Sequence, residues 1–235
     1  MQTVYFILTP PGSEQLTTLA INAVRTCHTA SGLTDPTIYI AKKTEAVVRV
    51  QGSLKWINFG EQTGLDLIKF IITELLKNDW DNLIILNNDT VLTNPPLWFI
   101  SGNDLCGFFN AGSLAVNNKA FGITRDLLET IYSKLNSIVL DAIAPTLLFG
   151  PTICNLAATY AKNAKIFPPA AKNKLFIGQF YYRSFSTDEI PLYVMDCSGG
   201  GWVNDVASVN LSAVNAIFLA MRATIRKSKI KKNAK

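Results

Sequence analysis

Residues 82–96 read NLIILNNDTVLTNPP: a strand-like run up to Leu86, two amides and a carboxylate (Asn87, Asn88, Asp89), an apolar pair and a double proline. A buried strand that ends this way delivers oxygen-bearing side chains to the rim of a sheet. A carboxylate flanked by amide oxygens suits a hard divalent cation such as magnesium or manganese, which in turn bridges the oxygens of a diphosphate. The letters NNDT equally describe a plain turn, because Asn and Asp hydrogen-bond their own backbone and tolerate left-handed geometry. On residue type alone both readings stand. Few other residues compete for chemistry. The lone His28 excludes any mechanism needing two histidines, and near the end of a helix it reads as a surface or capping residue. Cys27, Cys106, Cys154 and Cys197 are widely spaced with no Cys-x-x-Cys pair. That spacing argues for reduced thiols in a cytosolic setting, not a zinc site or a disulfide framework.

The elements that must position these groups follow from periodicity. TVYFILT (3–9) is a buried-type strand, broken by PPGS, whose Ser13 can cap a helix carrying Leu16, Leu19, Ala20, Ala23, Val24 and Cys27 at helical spacing. PTIYIAK (36–42) and SLKWINF (53–59) are strands, LDLIKFIITELLKN (65–78) is a helix, and NLIIL (82–86) is the most apolar strand. Strand, helix, strand, strand, helix, strand is the rhythm of an α/β domain with a largely parallel sheet, in which ligands bind beyond the carboxyl ends of the strands. That puts Thr9 and Pro10 on one rim with Asn87, Asn88 and Asp89. The second half is less regular. It predicts a short strand in CGFFNAGSLAVN, a helix from about Gly122 to Lys134, another starting at Gly150-Pro151, a strand in AKIFPP and an aromatic loop, FIGQFYYRSFS.

At 235 residues, 49% hydrophobic and 17% charged, the chain is globular and most simply one domain over 1–210, followed by a tail over 211–235. No apolar run is long enough to span a bilayer, and the start lacks a basic n-region and a small-residue cleavage site. The expectation is a cytoplasmic protein. Seven of the 22 basic residues lie from Arg222 onward with no acidic residue among them, so the high pI belongs to the tail and the body is slightly acidic. In the tail, Val214, Ile217, Phe218, Met221 and Ile225 recur at helical spacing beside Arg222, Arg226 and Lys229. Such a helix either rests on an anionic membrane at its inner face or packs on the domain with a solvated end. Nucleic acid is the weakest reading, since the patch is confined to one chain end and carries no recognition motif.

Six motifs in order, from about residue 60 to 202, resemble glycosyltransferases of the GT-A type, most of all family 32 (the DXD sugar transferases) and more distantly the glycogenin-like family 8. LDLIKF stands where family 32 has Ser-Asp-x-x-Arg-Tyr, and ILNND where it has Asp-x-Asp. FNAGSLAVN resembles the Phe-Asn-x-Gly segment of family 8, and LLFGPTICNLA a Thr-Gly-Pro helix start with Phe149 in place of Thr. AKIFPPAAKNKLF resembles an Ile-x-Pro…Phe segment, and YVMDCSGGGW lies over Tyr-Ala-x-His-His-x-x-Gly-Ser-Trp. The resemblance implies a Rossmann-like, mostly parallel central sheet with helices on both faces. It also implies a nucleotide-diphosphate-sugar donor, a glycan or lipid-linked acceptor, retention of anomeric configuration, and manganese or magnesium.

Carried over by residue, the resemblance implies a metal held by Asp89 with Asn87. Lys69 would lie on the diphosphate or donor sugar, Asp66 would orient either Lys69 or a sugar hydroxyl, and Thr9 and Pro10 would meet the base or ribose. Asn88, Gly112, Gly200 and Trp202 line the donor, Asn110 the reacting sugar, and Gly150, Pro151, Tyr181 and Tyr182 the acceptor. GGGW (199–202) is either a turn or a mobile loop that offers N–H groups to the diphosphate. Phe180, Tyr181, Tyr182 and Phe185 are either core or a stacking platform for a sugar. Two departures matter: Asn87 replaces the first acid of Asp-x-Asp, and Asp196 with Cys197 replaces the late histidine. Either Asp196 restores an oxygen ligand beside Asp89, or Lys69 or Arg183 neutralises the diphosphate without metal. A silent relative that binds glycan or nucleotide without transfer is the competing function.

Overall fold

The computed structural model describes residues 2–10, 14–30, 32–43, 54–88, 90–92, 102–108, 116, 118, 120–135, 148–167, 174–177, 180–185 and 194–196. The first half alternates as its periodicity predicts: β1 (Thr3–Thr9), α1 (Glu14–Ala30), β2 (Ile38–Lys42), β3 (Leu54–Asn58), α2 (Gly64–Leu76) and β4 (Asn82–Asn87). A short β5 (Thr90–Leu92), β6 (Leu105–Phe108), β7 (Ala120–Thr124), α3 (Arg125–Lys134), α4 (Phe149–Tyr160) and β8 (Ala164–Phe167) follow. The last described elements are β9 (Lys174–Ile177), β10 (Phe180–Phe185) and β11 (Val194–Asp196).

Seven strands form one sheet in the order β3-β2-β1-β4-β7-β6-β8. The pairs β2–β3, β1–β2, β1–β4 and β6–β8 are parallel, and β7 is antiparallel to both neighbours, so β7 alone runs against the rest. This is the expected mostly parallel sheet. Alternation along the strands divides the core in two. Tyr5, Ile7, Ile38, Ile40, Ile84 and Leu86 face α1 through Ala20, Ile21 and Val24. Val4, Phe6, Tyr39, Ala41, Leu83 and Ile85 share the opposite cluster with α2, α3 and α4. Helices therefore cover both faces, as sheets buried on two sides require. The rings of Phe6 and Phe149 lie 4.7 Å apart and tie the start of α4 to the middle of β1. Such a pair adds about 1 kcal/mol beyond its buried area.

Arg125 locks the second half of this layer to the first. Its Nη2 donates to the Leu76 carbonyl at 2.9 Å, its Nη1 to the Asn78 carbonyl, and its Nε to Glu129 Oε1 at 2.9 Å. The Trp80 indole donates to the Leu75 carbonyl at 2.9 Å, and the guanidinium lies 5.6 Å from the Trp80 ring. Carbonyls at and just beyond the end of α2 thus receive side-chain donors, Leu75 in addition to the backbone N–H of Asn78. A second, antiparallel sheet has the order β5-β11-β10-β9.

Three local expectations are corrected. The helix placed from Gly122 begins at Arg125; Gly122 lies inside β7, paired with Ile84 and Cys106, and Thr124 caps α3 by accepting from the Leu127 N–H. The aromatic segment read as a loop holds β10 and the end of β9, paired in register from Phe180↔Ile177 to Arg183↔Lys174. β5 was not anticipated at all. Ser13, the GGGW segment and the tail over 211–235 lie outside the described residues.

Candidate functional site

The registers fix what meets at the carboxyl rim of the large sheet. Leu8 pairs with Asn87, Thr9 with Lys42, and Lys42 with Asn58, so the ends of β1, β2, β3 and β4 bring these residues to one edge. Thr9 is fully buried, and its Oγ1 has no hydrogen-bond partner. Asn88, one residue beyond the last rung of β4, has a buried Nδ2 that is likewise unpartnered. Unsatisfied buried polar atoms are uncommon in folded proteins and ask for an explanation.

The start of α4 closes this rim on one side. A Cβ added to Gly150 would sit 3.5 Å from Asn87 Oδ1 and 3.8 Å from the Asn118 carbonyl. A methyl there would meet both in ordinary van der Waals contact, so the start of α4 packs closely on an amide of β4 and the segment entering β7. Leu148 at the N-cap offers no side-chain cap, and Pro151 brings no N–H. Asn118 Oδ1 is a third buried atom without a partner. The position of Asn118 is held from below: Val116, fully buried, packs on Gly107 of β6, and its carbonyl accepts from Cys154 Sγ of α4 at 3.5 Å.

Of the residues expected from sequence, the structure therefore gathers Thr9, Pro10, Asn87 and Asn88 at the rim and brings Gly150 against Asn87, with Pro151 next in α4. Asp66 and Lys69 lie in the first turns of α2, exposed and half-buried respectively, and no ion pair joins them. Asp89, Asn110, Gly112, Gly200 and Trp202 lie outside the described residues. Tyr181 and Tyr182 are strand residues of β10, opposite Phe176 and Leu175.

The small sheet adds a relation that local sequence could not show. Asp196 of β11 stands directly opposite Thr90 on one side and Arg183 on the other. Thr90 is the residue after Asp89, and residues directly opposite in an antiparallel ladder share a face. The ladder thus brings Asp196 to the end of the Asn87-Asn88-Asp89 segment, with Arg183 as its neighbour.

Sequence reasoning passed over Asn118, Lys42 and Asn58. Lys42 and Asn58 end predicted strands and were legible as rim residues. The Lys42 ammonium lies 4.7 Å from the centre of the half-exposed Trp56 ring. The other chemistry-bearing groups are structural. His28 lies about 20 Å along α1 from its rim end. Tyr5 donates to its Nε2 at 2.6 Å, and its Nδ1 donates to the Thr34 carbonyl at 3.2 Å. Burial lowers its pKa against the opposing pull of that carbonyl and of Asp35. Burial pushes Cys106 up to about 11 and Cys154 up to about 12, which removes both as thiolate nucleophiles near neutrality. Among the described residues no group of three or more His, Cys, Asp or Glu side chains could hold a metal, and no helix is long and apolar enough to cross a membrane.

No protein-family model and no curated protein matches the sequence. Solved structures do match in shape. The galactosyltransferase LgtC in complex with donor and acceptor sugar analogs aligns over 94% of this chain and 95% of its own, with a TM-score of 0.52 and 13% identity. The apo-form glycosyltransferase GlyE of Streptococcus pneumoniae TIGR4 aligns over 70% of this chain with a TM-score of 0.49 and 11% identity, and there the chain spans only 45% of the longer protein. A glycosyltransferase involved in glycosylation of the major capsid of PBCV-1 aligns over 72% of this chain and 82% of its own, with a TM-score of 0.44 and 13% identity. With its β3-β2-β1-β4-β7-β6-β8 order and helices on both faces, the chain has the GT-A fold.

Proposed function

We propose that this chain is a glycosyltransferase that moves a sugar from a nucleotide-diphosphate-sugar donor to a glycan or lipid-linked acceptor. One observation carries the reading. At the carboxyl rim of a GT-A sheet, where ligands of open α/β sheets bind, Thr9 and Asn88 carry buried polar atoms without a partner, and Asn87 lies against the start of α4 at Gly150. LgtC, which shares the fold, was crystallised with donor and acceptor sugar analogs.

The roles follow from charge. Cleavage of the anomeric C–O bond leaves a diphosphate whose negative charge grows through the transition state. The residue types fit a magnesium or manganese ion: two carboxylates, Asp89 and Asp196, and the Asn87 amide oxygen are hard donors, and the β5–β11 register brings Asp196 opposite the neighbour of Asp89. Such an ion supplies Lewis-acid stabilisation of the leaving diphosphate when bound. Lys69 or Arg183 would neutralise diphosphate charge. Thr9 and Pro10 meet the base or ribose. The resemblance to families 32 and 8 implies retention, and without a convincing covalent nucleophile among the described side chains the retaining route is front-face displacement, with the departing phosphate oxygen taking the acceptor proton. Tyr181, Tyr182, Gly150 and Pro151 form the acceptor side, and the basic tail brings the enzyme to an anionic membrane where lipid-linked acceptors lie.

The test is turnover. Incubation with a panel of nucleotide sugars, with manganese and with chelator, is expected to release nucleoside diphosphate from one donor, faster with a matching acceptor. Asp196→Asn is expected to raise the manganese concentration needed for half-maximal rate. An unchanged manganese dependence removes Asp196 from the metal site. Donor binding without release of any nucleoside diphosphate assigns the chain to the silent relatives, in line with the loss of the first acid and the late histidine.

A further inference from the structure

We infer that Trp56, with Lys42 and Asn58, forms a glycan-binding platform on the outer edge of the large sheet, apart from the rim. Such a platform goes beyond the transfer proposed above and stands whether or not the rim binds a donor. β3 ends the sheet, and among the described strands it pairs with β2. Ile40 pairs with Trp56 and Lys42 with Asn58, so alternation puts Lys42, Trp56 and Asn58 on the face where Ile40 meets α1. Leu54 still packs against the α1 cluster, but two residues on Trp56 emerges with 39% of its surface exposed. Asn58 is exposed beside it. By strand spacing Trp56 lies roughly 10 Å to the side of β1 and about 7 Å below the level of Thr9.

The surroundings of the ring select its occupant. The Lys42 ammonium lies 4.7 Å from the ring centre, a cation–π contact that orients the indole before any ligand arrives. An anchor oriented in advance lowers the ordering cost of binding to it. The flanks of the ring are polar: an ammonium that only donates, and an amide that both donates and accepts. An apolar protein partner would bury both groups without pairing them. A partner strand added to the open edge of β3 would meet Lys55, exposed on the same strand, and charge on an edge strand works against such pairing. A phosphate or carboxylate alone uses Lys42 and leaves the ring uncovered. A pyranose carries both halves of the required chemistry. Its C–H face lies on the indole, and its hydroxyls donate to the Asn58 amide oxygen and accept from the Lys42 ammonium. A chain of such rings is held at this edge without any backbone pairing.

The experiment is calorimetric and tryptophan-fluorescence titration of the full-length protein with maltohexaose, cellohexaose and an oligogalacturonate, with UDP and GDP as stacking controls. The parent protein is expected to bind at least one of the three glycans with a shift in tryptophan emission. Trp56→Ala is expected to weaken that binding roughly tenfold or more, as truncation of an aromatic anchor does, and to leave UDP and GDP unchanged. Trp56→Leu keeps an apolar side chain at the edge; it is expected to show the same loss and carries the test if the alanine variant does not fold. Glycan binding unchanged in Trp56→Leu, or absent from the parent protein, overturns the inference and leaves the donor reading untouched. Loss of UDP or GDP binding in Trp56→Leu makes the ring a base-stacking group and overturns it as well. Self-association of the parent protein that Trp56→Leu abolishes, seen by analytical ultracentrifugation, assigns the ring to a contact between copies and likewise overturns it.

Discussion

Gly107 tests whether the segment leading into the candidate site is held as described. It lies in β6 opposite Phe121 of β7, and a Cβ added there would stand 2.5 Å from Val116 Cγ1 and 3.4 Å from Phe121 Cβ. Carbon atoms in contact normally sit about 3.5–4.0 Å apart, so Gly107→Ala requires a shift of about 1 Å or more. Neither neighbour yields easily. Val116 is fully buried and its branched side chain is stiff, and the β6–β7 ladder fixes the backbone on the other side. Overpacking of this kind costs about 1–3 kcal/mol, and two unyielding contacts place the variant near the upper end. For a chain of this size that corresponds to a fall in Tm of about 5–10 °C. Thermal and urea unfolding of Gly107→Ala, Val116→Ala and the double variant form the assay. Removing the clashing methyl should leave the double variant at least 1 kcal/mol more stable than additivity predicts. A Gly107→Ala protein within about 0.5 kcal/mol of the parent, or an additive cycle, would refute the proposed anchoring of Val116 and, through it, of Asn118.

Other outcomes follow from the described contacts. Arg125→Ala, which strips the Leu76 and Asn78 carbonyls of a charged donor, is expected to cost about 2–3 kcal/mol in urea unfolding, with Arg125→Lys recovering only part because ammonium cannot reproduce the fork. His28 has a depressed pKa in the fold, so the unfolded chain binds more protons as the pH falls. Stability from this group is present above its unfolded pKa of about 6.5 and is lost as pH falls below that value toward the folded pKa; His28→Gln should flatten this part of the unfolding free energy between about pH 7 and 5. Cys106 and Cys154, both buried and with raised pKa values, are expected to resist a thiol reagent at pH 8 in the folded protein and to react at once in urea. Rapid labelling of the native protein at both positions would contradict the burial of the β6 and α4 core.

Much of the first half is legible in the chain because each strand and helix there carries its own period. TVYFILT and NLIIL are continuous apolar runs, and such runs mark strands buried on two faces. Gly122 misleads because a glycine inside AFGIT looks like a break before the helix, whereas it pairs within β7 and the cap is Thr124. The aromatic run FYYRSF reads as a loop although its composition favours strand. Its partners β9 and β11 lie close by in the sequence, but the sheet they form is completed by β11 pairing with β5 across roughly a hundred residues, a relation no local window contains. The same holds for the site. Thr9, Asn87 and Asn88 announce themselves as polar ends of apolar strands, and Gly150-Pro151 as a helix start. Asn118 gave no such signal, because an orphaned amide exists only once Gly150, Asn87 and Val116 have closed around it.

Titration of the purified protein with nucleotide sugars, first with manganese and then with chelator, tests the central claim most directly. The account predicts saturable binding of one donor, weakened on chelation and weakened again by Asp89→Asn. Absence of binding by every donor under both conditions would contradict it.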